Sequence, residues 1–228
     1  MTVPQQSAGY RHFHDDLTQL KQALLDMGVI SQKLIDLSIK ALLEHDRDAA
    51  EEVIAGDKRV NSLEVEIEQR AVRLLALQQP LARDLRFLVG AIKVSSDLER
   101  VGDHAVNIAQ SAVRLVDYGG RLTPAPEIED MARRSRLMLS QAVDAFIRAD
   151  GSLGREVCKA DDAVDALHDS VFRSLLTHMM ESARNITPSL ELLLVSRNLE
   201  RVADLATNIG EDAVYLAEGK QIKHHFED

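Results

Sequence analysis

Pairs of oxygen-bearing side chains four residues apart recur through this chain. Asp57 and Asn61 form one pair, Glu99 and Asp103 a second, Asp161 and Asp165 a third, and Glu200 and Asp204 a fourth. On an α-helix this spacing places both side chains on one face. Oxygen-only donor sets suit hard cations such as Mg2+, Ca2+, Mn2+ or iron. Two carboxylates ~4 Å apart repel by about 4 kcal/mol at an effective dielectric of 20. Such side chains therefore either splay into water or close on a cation. In a chain with 28% charged residues, one such pair is what a solvated helix face carries by chance. Four pairs, duplicated and facing one another, outweigh that reading.

The pairs face one another only if the helices that carry them fold back as hairpins. The five prolines, Pro4, Pro80, Pro124, Pro126 and Pro188, leave long Pro-free stretches that read as helices. The first runs from about His12 to Glu44, with Phe13, Leu17, Leu20, Leu24, Met27, Leu34 and Ala41 on alternating steps of four and three and Ser31 and Ser38 filling the same seam. The second covers about Asp48 to Leu77, with Val53, Val60, Leu63, Ile67 and Leu74 inward. The third lies between Pro80 and Gly119, roughly 50 Å long at 1.5 Å per residue. Its wide apolar arc, Leu85, Leu88, Ile92, Val106 and Val113 beside Phe87, Val94, Leu98, Val101, Ile108 and Leu115, predicts a central position. Gly119–Pro126 reads as a linker. Helix four is expected over about Glu127 to Ala149 and helix five over about Arg155 to Ser182, with Gly151 and Gly154 breaking the chain between them; helix six runs from about Pro188 to Ala217, closed by Gly219. A short turn near residue 80 then sets Asp57 beside Asp103 and Asn61 beside Glu99. A turn near residue 183 sets Asp161 beside Asp204 and Asp165 beside Glu200.

The halves repeat in their letters. Leu98-Glu99-Arg100-Val101-Gly102-Asp103 matches Leu199-Glu200-Arg201-Val202-Ala203-Asp204 at an offset of 101, as Asn107-Ile108 matches Asn208-Ile209. Asp57, Val60, Leu63 and Ile67 match Asp161, Val164, Leu167 and Val171 at an offset of 104. The expected fold is all-α: two tandem three-helix bundles related by an approximate twofold, with residues 1–118 and 127–228 as the repeats and 119–126 between them. The composition agrees, since aromatics make up 4% and there is no Trp, which leaves aliphatic side chains to fill the core. A net charge of -10 argues against binding duplex nucleic acid or an anionic membrane surface unaided. The single cysteine, Cys158, fits a reducing compartment, and with no apolar run of membrane-spanning length the expected location is the cytoplasm.

The segment Pro80-Leu-Ala-Arg-Asp-Leu-Arg86, with Ile92-Lys93 and Asp97-Leu-Glu-Arg-Val-Gly-Asp-His-Ala-Val-Asn-Ile108, resembles the signature of the PhoU proteins. Asn198-Leu-Glu-Arg-Val-Ala-Asp-Leu-Ala-Thr-Asn-Ile209 is its counterpart in the second repeat, and the resemblance runs from about Phe13 to Gly219. It implies a regulator rather than an enzyme: a negative regulator of phosphate-starvation signalling that links a phosphate ABC transporter, through its ATPase subunit, to a sensor histidine kinase. It implies a homodimer held at the inner face of the membrane by its partners. It also implies metal ions, Fe, Zn, Mn or Mg, at Asp57, Glu99, Asp103, Asp161, Asp165, Glu200 and Asp204. Asn61 departs from the acidic pattern and predicts weaker binding at the first site, while Asn107 and Asn208 take outer positions.

Two other readings share the bundle. One is an accessory protein of a different phosphate transporter. The other is a carboxylate-bridged di-metal oxidoreductase or metal-storage bundle, which ordinarily uses Glu-x-x-His pairs. Here Glu99 and Glu200 are followed three residues later by Gly102 and Ala203, which counts against it. His12, His14, His224 and His225 sit near the termini, and His45, His104, His168 and His178 have no partner at metal spacing. Cys158 reads as a structural thiol. There is no P-loop, no G-x-S-x-G and no Gly-rich phosphate cradle.

Overall fold

The computed structural model describes residues 5–78, 80–118 and 124–222, with side chains from residue 13 onward. Six long helices account for nearly all of it: α1 (Gln5–Glu44), α2 (Arg47–Gln78), α3 (Ala82–Asp117), α4 (Pro126–Arg148), α5 (Gly151–Glu181) and α6 (Ile186–Glu218), with a short 3-10 turn at Ala183–Asn185. The heptad seam of α1 is buried along its length, and its two serines are satisfied without leaving the helix face. Ser31 Oγ donates to the Met27 carbonyl at 2.9 Å and Ser38 Oγ to that of Ile35 at 2.8 Å.

The helix ends follow capping chemistry. His45 takes a left-handed φ of 55° to end α1, and the Asp46 carboxylate accepts the Ala49 N–H at 3.0 Å to open α2. Ala149 ends α4 at φ 53°, and Asp150 caps the next helix by accepting the Leu153 N–H at 3.1 Å. This corrects the expected start of α5. It begins at Gly151 rather than Arg155, and Gly154 lies inside it as a contact point: a Cβ on Gly154 would stand 2.6 Å from the Gly210 carbonyl oxygen of α6. α6 starts two residues before Pro188, whose missing N–H falls in the first turn, where no intrahelical partner is required. Gly219 closes α6 at φ 73°. Residues 119–123 of the expected linker, and His12, His224 and His225 as side chains, lie outside the described residues.

The helices form two layers. α2, α3, α6 and α5 lie side by side in one, and α1 and α4 cover its back. α3 touches α1, α2 and α6, which is the central position its wide apolar arc required. Most of that arc is buried; Leu85 is the exception and points to solvent. α3 and α6 run antiparallel. Lys93 with Asp212, Asn107 with Asn198, and Arg114 with Glu191 are all in contact across them and share the same index sum. Gly102 and Ala203, which are repeat counterparts, share that sum as well, so the approximate twofold passes between α3 and α6 at their height. Buried side chains of both repeats form one cluster, and Phe87 of α3 stacks on Phe146 of α4 at 5.4 Å between ring centres.

Candidate metal centres

The α2–α3 hairpin brings the first acidic group together through a small residue. Asp57 lies directly over Gly102, so closely that a Cβ at Gly102 would stand 2.5 Å from Asp57 Oδ1. The glycine thus makes room for a carboxylate between two helices. Asn61 Nδ2 donates to Asp57 Oδ2 at 3.1 Å, one turn along. Burial raises the pKa of Asp57, and Asp103 adds to the effect. Burial likewise raises that of Glu99, reinforced by Asp103, Glu64 and Asp57. These mutual repulsions place Asp57, Glu99 and Asp103 in one field, as the hairpin register predicts.

The second group follows the same plan with Ala203 in place of Gly102. Asp161 is pushed up to about 7, first by burial and then by Asp165, Asp204, Asp162 and Glu200. Asp165 is raised by burial, then by Glu200 and Asp204. Asp204 accepts from Arg201 Nη1 at 2.7 Å, an i, i+3 contact on α6. Arg100, its counterpart, stands 3.8 Å from Asp97 instead. Arg100 still offsets part of the rise at Glu99, as the last and smallest of its causes.

Do the residues fit a cation? Three buried oxygens in these groups, Asp57 Oδ1, Asn61 Oδ1 and Asp161 Oδ1, have no hydrogen-bond donor. A buried acceptor left unmet costs ~1–3 kcal/mol, which a bound cation would relieve. Donor chemistry and orphaned oxygens thus fit a hard cation, or iron. The side chains are not gathered for one: among the described residues no group of three or more His, Cys, Asp or Glu stands in metal-holding proximity. Like charges without a counter-ion repel, which favours side chains held apart.

The remaining candidates are occupied elsewhere. His104 Nδ1 is 2.9 Å from Asn198 Oδ1, His168 Nδ1 is 3.1 Å from Ser196 Oγ, and His178 contacts Glu181. Cys158 is buried beside Thr207, and burial with nearby Glu211 and Asp161 pushes its thiol up to about 12, so it stays protonated and unreactive. Sequence reasoning missed the buried acids of α6. Glu191 accepts from Arg114 at 2.8 Å and Asp212 pairs with Lys93 at 3.3 Å, both across the repeat interface. Their signal was an acid inside the apolar arc of α6, with a basic residue at the matching height of α3.

The PhoU domain model matches this chain twice, at residues 24–112 and 128–213. The chain belongs to the PhoU family. It is 41% identical over 209 residues to a phosphate-specific transport system accessory protein PhoU homolog of Aquifex aeolicus, covering 92% of this chain and 94% of that protein. A homolog of the same description from Rhizobium meliloti is 34% identical over 209 residues, covering 92% and 88%. Among solved structures, PhoU from Pseudomonas aeruginosa superposes with a TM-score of 0.88 at 35% identity, covering 91% of this chain and all of that one. The phosphate transport system regulatory protein PhoU from Streptococcus pneumoniae gives 0.85 at 30%, covering 92% and 98%. The two PhoU matches flank residues 113–127, and each carries one acidic group.

Proposed function

We propose that this protein is a regulatory adaptor of phosphate homeostasis, acting as accessory protein to a phosphate ABC transporter and holding a sensor histidine kinase in its inhibitory state while phosphate is ample. The observation that carries this reading is the match, over 92% of the chain in sequence and 91% in fold, to an accessory protein of phosphate-specific transport and to a PhoU structure. No helix among the described residues is long and apolar enough to cross a membrane, so contact with a transporter falls to the protein's surface. That surface carries an apolar double stripe at the tip of the α5–α6 hairpin, Phe172, Leu176 and Met180 beside Ile186, Leu190 and Leu194, all exposed. Contiguous apolar surface of this kind marks contact with other proteins, as an adaptor or homodimer requires.

The acidic groups serve this role as cation sites. Asp57, Asn61, Glu99 and Asp103 would hold one ion or cluster, and Asp161, Asp165, Glu200 and Asp204 the other. A bound cation supplies cross-linking charge that ties α2 to α3 and α5 to α6 without chemistry at the metal. Two measurements test the reading. Deleting the gene is expected to raise phosphate-starvation gene expression in phosphate-rich medium; expression that stays fully repressible by phosphate removes the regulatory role. Metal content of the wild type is expected to fall in an Asp103→Ala/Asp204→Ala variant, and an unchanged load removes the site assignment.

A further inference from the structure

The exposed apolar stripe at the α5–α6 tip has a counterpart at the α2–α3 tip. Val72, Leu85 and Val89 occupy the repeat positions of Leu176, Ile186 and Leu190, at offsets of 104 and 101. All six are 42–51% exposed. Each stripe shares a helix face with one acidic group. Leu85 and Asp103 are 18 residues apart, as are Ile186 and Asp204, which is about five helical turns and returns to the same face. Asn61 with Val72, and Asp165 with Leu176, are 11 residues apart, about three turns. A twofold between antiparallel neighbours in one layer runs perpendicular to that layer. Both halves therefore show this face on the same side, away from α1 and α4. The acidic groups lie near the axis, and the stripes run outward to opposite ends. Glu68, one turn from Val72, and Asp169, one turn from Phe172, are exposed within the stripes. Neither has an ion-pair partner among the described residues. The bases nearby do not balance the acids. Arg100 and Arg201 are held by acids of their own helices, and Lys93 by Asp212. Arg173 and Arg197 belong to the second half alone, where the first has Gln69 and Ser96.

We propose that each stripe is a docking groove for a basic amphipathic helix of a partner protein, so that one chain holds two such helices. The inference deepens the adaptor reading by naming the chemistry of its partner, and it rests on that reading for the partner's role alone. A hairpin of two helices offers a groove into which a third lays an apolar face, with anchors one turn apart. Lysines or arginines beside that face meet Glu68 or Asp169, and those at its inner end meet the acidic group. Contiguous apolar surface beyond a few hundred Å2 is rare on a monomer without a binding role. Here the same positions stay apolar in both repeats although water covers them, which a chance patch does not explain. A second copy is the wrong occupant for this face. Laid face to face, it brings its own acidic groups, also at the centre, onto these. An anionic lipid surface meets the same repulsion from a chain of net charge -10. A basic helix satisfies both the apolar and the acidic parts.

The probe is a fluorescein-labelled helical peptide of Leu, Ala and Lys, about five turns long, with its leucines on one face. Fluorescence anisotropy reads its affinity and stoichiometry on the full-length protein. Wild type is expected to bind two peptides per chain. A twin with Glu for every Lys, and a reordered twin with its leucines scattered, are each expected to bind at least about tenfold more weakly. Val72→Ser/Val89→Ser and Leu176→Ser/Leu190→Ser are each expected to leave one site per chain, and the four together none. Glu68→Gln/Asp169→Asn is expected to bind about threefold or more weakly at both sites. Leu137→Ser, exposed on α4 behind the layer, is expected to bind as wild type, with helical content unchanged in every variant. No binding by wild type up to ~1 mM overturns the proposal. So do stripe variants that bind as wild type, or an acidic twin that binds equally well. Two further outcomes name another occupant and overturn it as well. Stripe variants that turn a dimer into a monomer in sedimentation point to a second copy. Stripe-dependent flotation with phosphatidylethanolamine/phosphatidylglycerol vesicles points to lipid. If the peptide fails to bind while gene deletion still derepresses the starvation response, the groove assignment alone has failed.

Discussion

Asp161 shows how one side chain carries the tension of its site. Its folded-state pKa of about 7 lies above the ordinary aspartate value of 3.8 because burial and four neighbouring carboxyls oppose its charge. The folded chain therefore holds this proton more tightly than the unfolded chain does. The associated stability is fully present below about pH 4 and is lost as pH rises from there to about 7, after which both states are ionised and the whole penalty applies. Asp57, Glu99 and Asp165 shift in the same direction and reinforce it. Asp161→Asn removes the charge but keeps the shape. In the metal-free protein at pH 8 it is expected to raise stability by about 1–2 kcal/mol, after allowing for screening of a half-buried group. Near pH 4 the gain should vanish. Thermal melts of both proteins at the two pH values check it, and an equal gain at both would show that charge is not the cause. Metal affinity at the second site is expected to fall in the same variant, so the residue that costs stability is the one that a cation would use.

At the scale of helices, the decisive contacts are those where backbones approach. Gly154 and Gly210 face each other, each lacking the Cβ that would strike the other's carbonyl, at 2.6 and 2.9 Å. This contact pins the register of α5 against α6 and hence the height at which Asp161 meets Asp204. Gly154→Ala has a favourable helix propensity, yet it is expected to destabilise by about 1–3 kcal/mol because the added methyl meets backbone rather than a movable side chain. A chain of this size should then melt about 2–4 °C lower for each kcal/mol lost. A melting temperature equal to or above that of wild type would show that the helices slide apart freely. The same contact explains where sequence reading stopped. Heptad spacing and proline positions located all six helices and, through hairpin register, paired Asp57 with Asp103. A glycine in a helix, however, reads as a breaker until its neighbour is known, and the neighbour of Gly154 lies 56 residues away. Leu85 was misplaced for the matching reason: periodicity marks a stripe as apolar but does not say where the partner helix ends.

For the whole molecule the question is whether two repeats make one cooperative body. The core says that they do. Buried side chains of α1, α3, α4 and α6 form one continuous cluster, and Phe146 of the second repeat fills the space left by Gly90 of the first. The interface is also polar in a directed way, with Arg114 meeting Glu191 near one end of the α3–α6 contact and Lys93 meeting Asp212 near the other. Removing either base would leave a largely buried carboxylate unpaired, so these pairs disfavour sliding of one repeat along the other. Repeat arrays with weak interfaces unfold repeat by repeat, whereas a shared core couples them. Calorimetry of the full chain is therefore expected to show one transition whose calorimetric and van't Hoff enthalpies agree. Residues 1–118 expressed alone should fail to melt cooperatively, because the faces of α1 and α3 that pack on α4 and α6 become exposed. Two resolved transitions in the full chain, or a cooperative isolated repeat, would mean that each bundle holds its own core. In that case the Arg114–Glu191 and Lys93–Asp212 pairs would join two independent bodies rather than lock one.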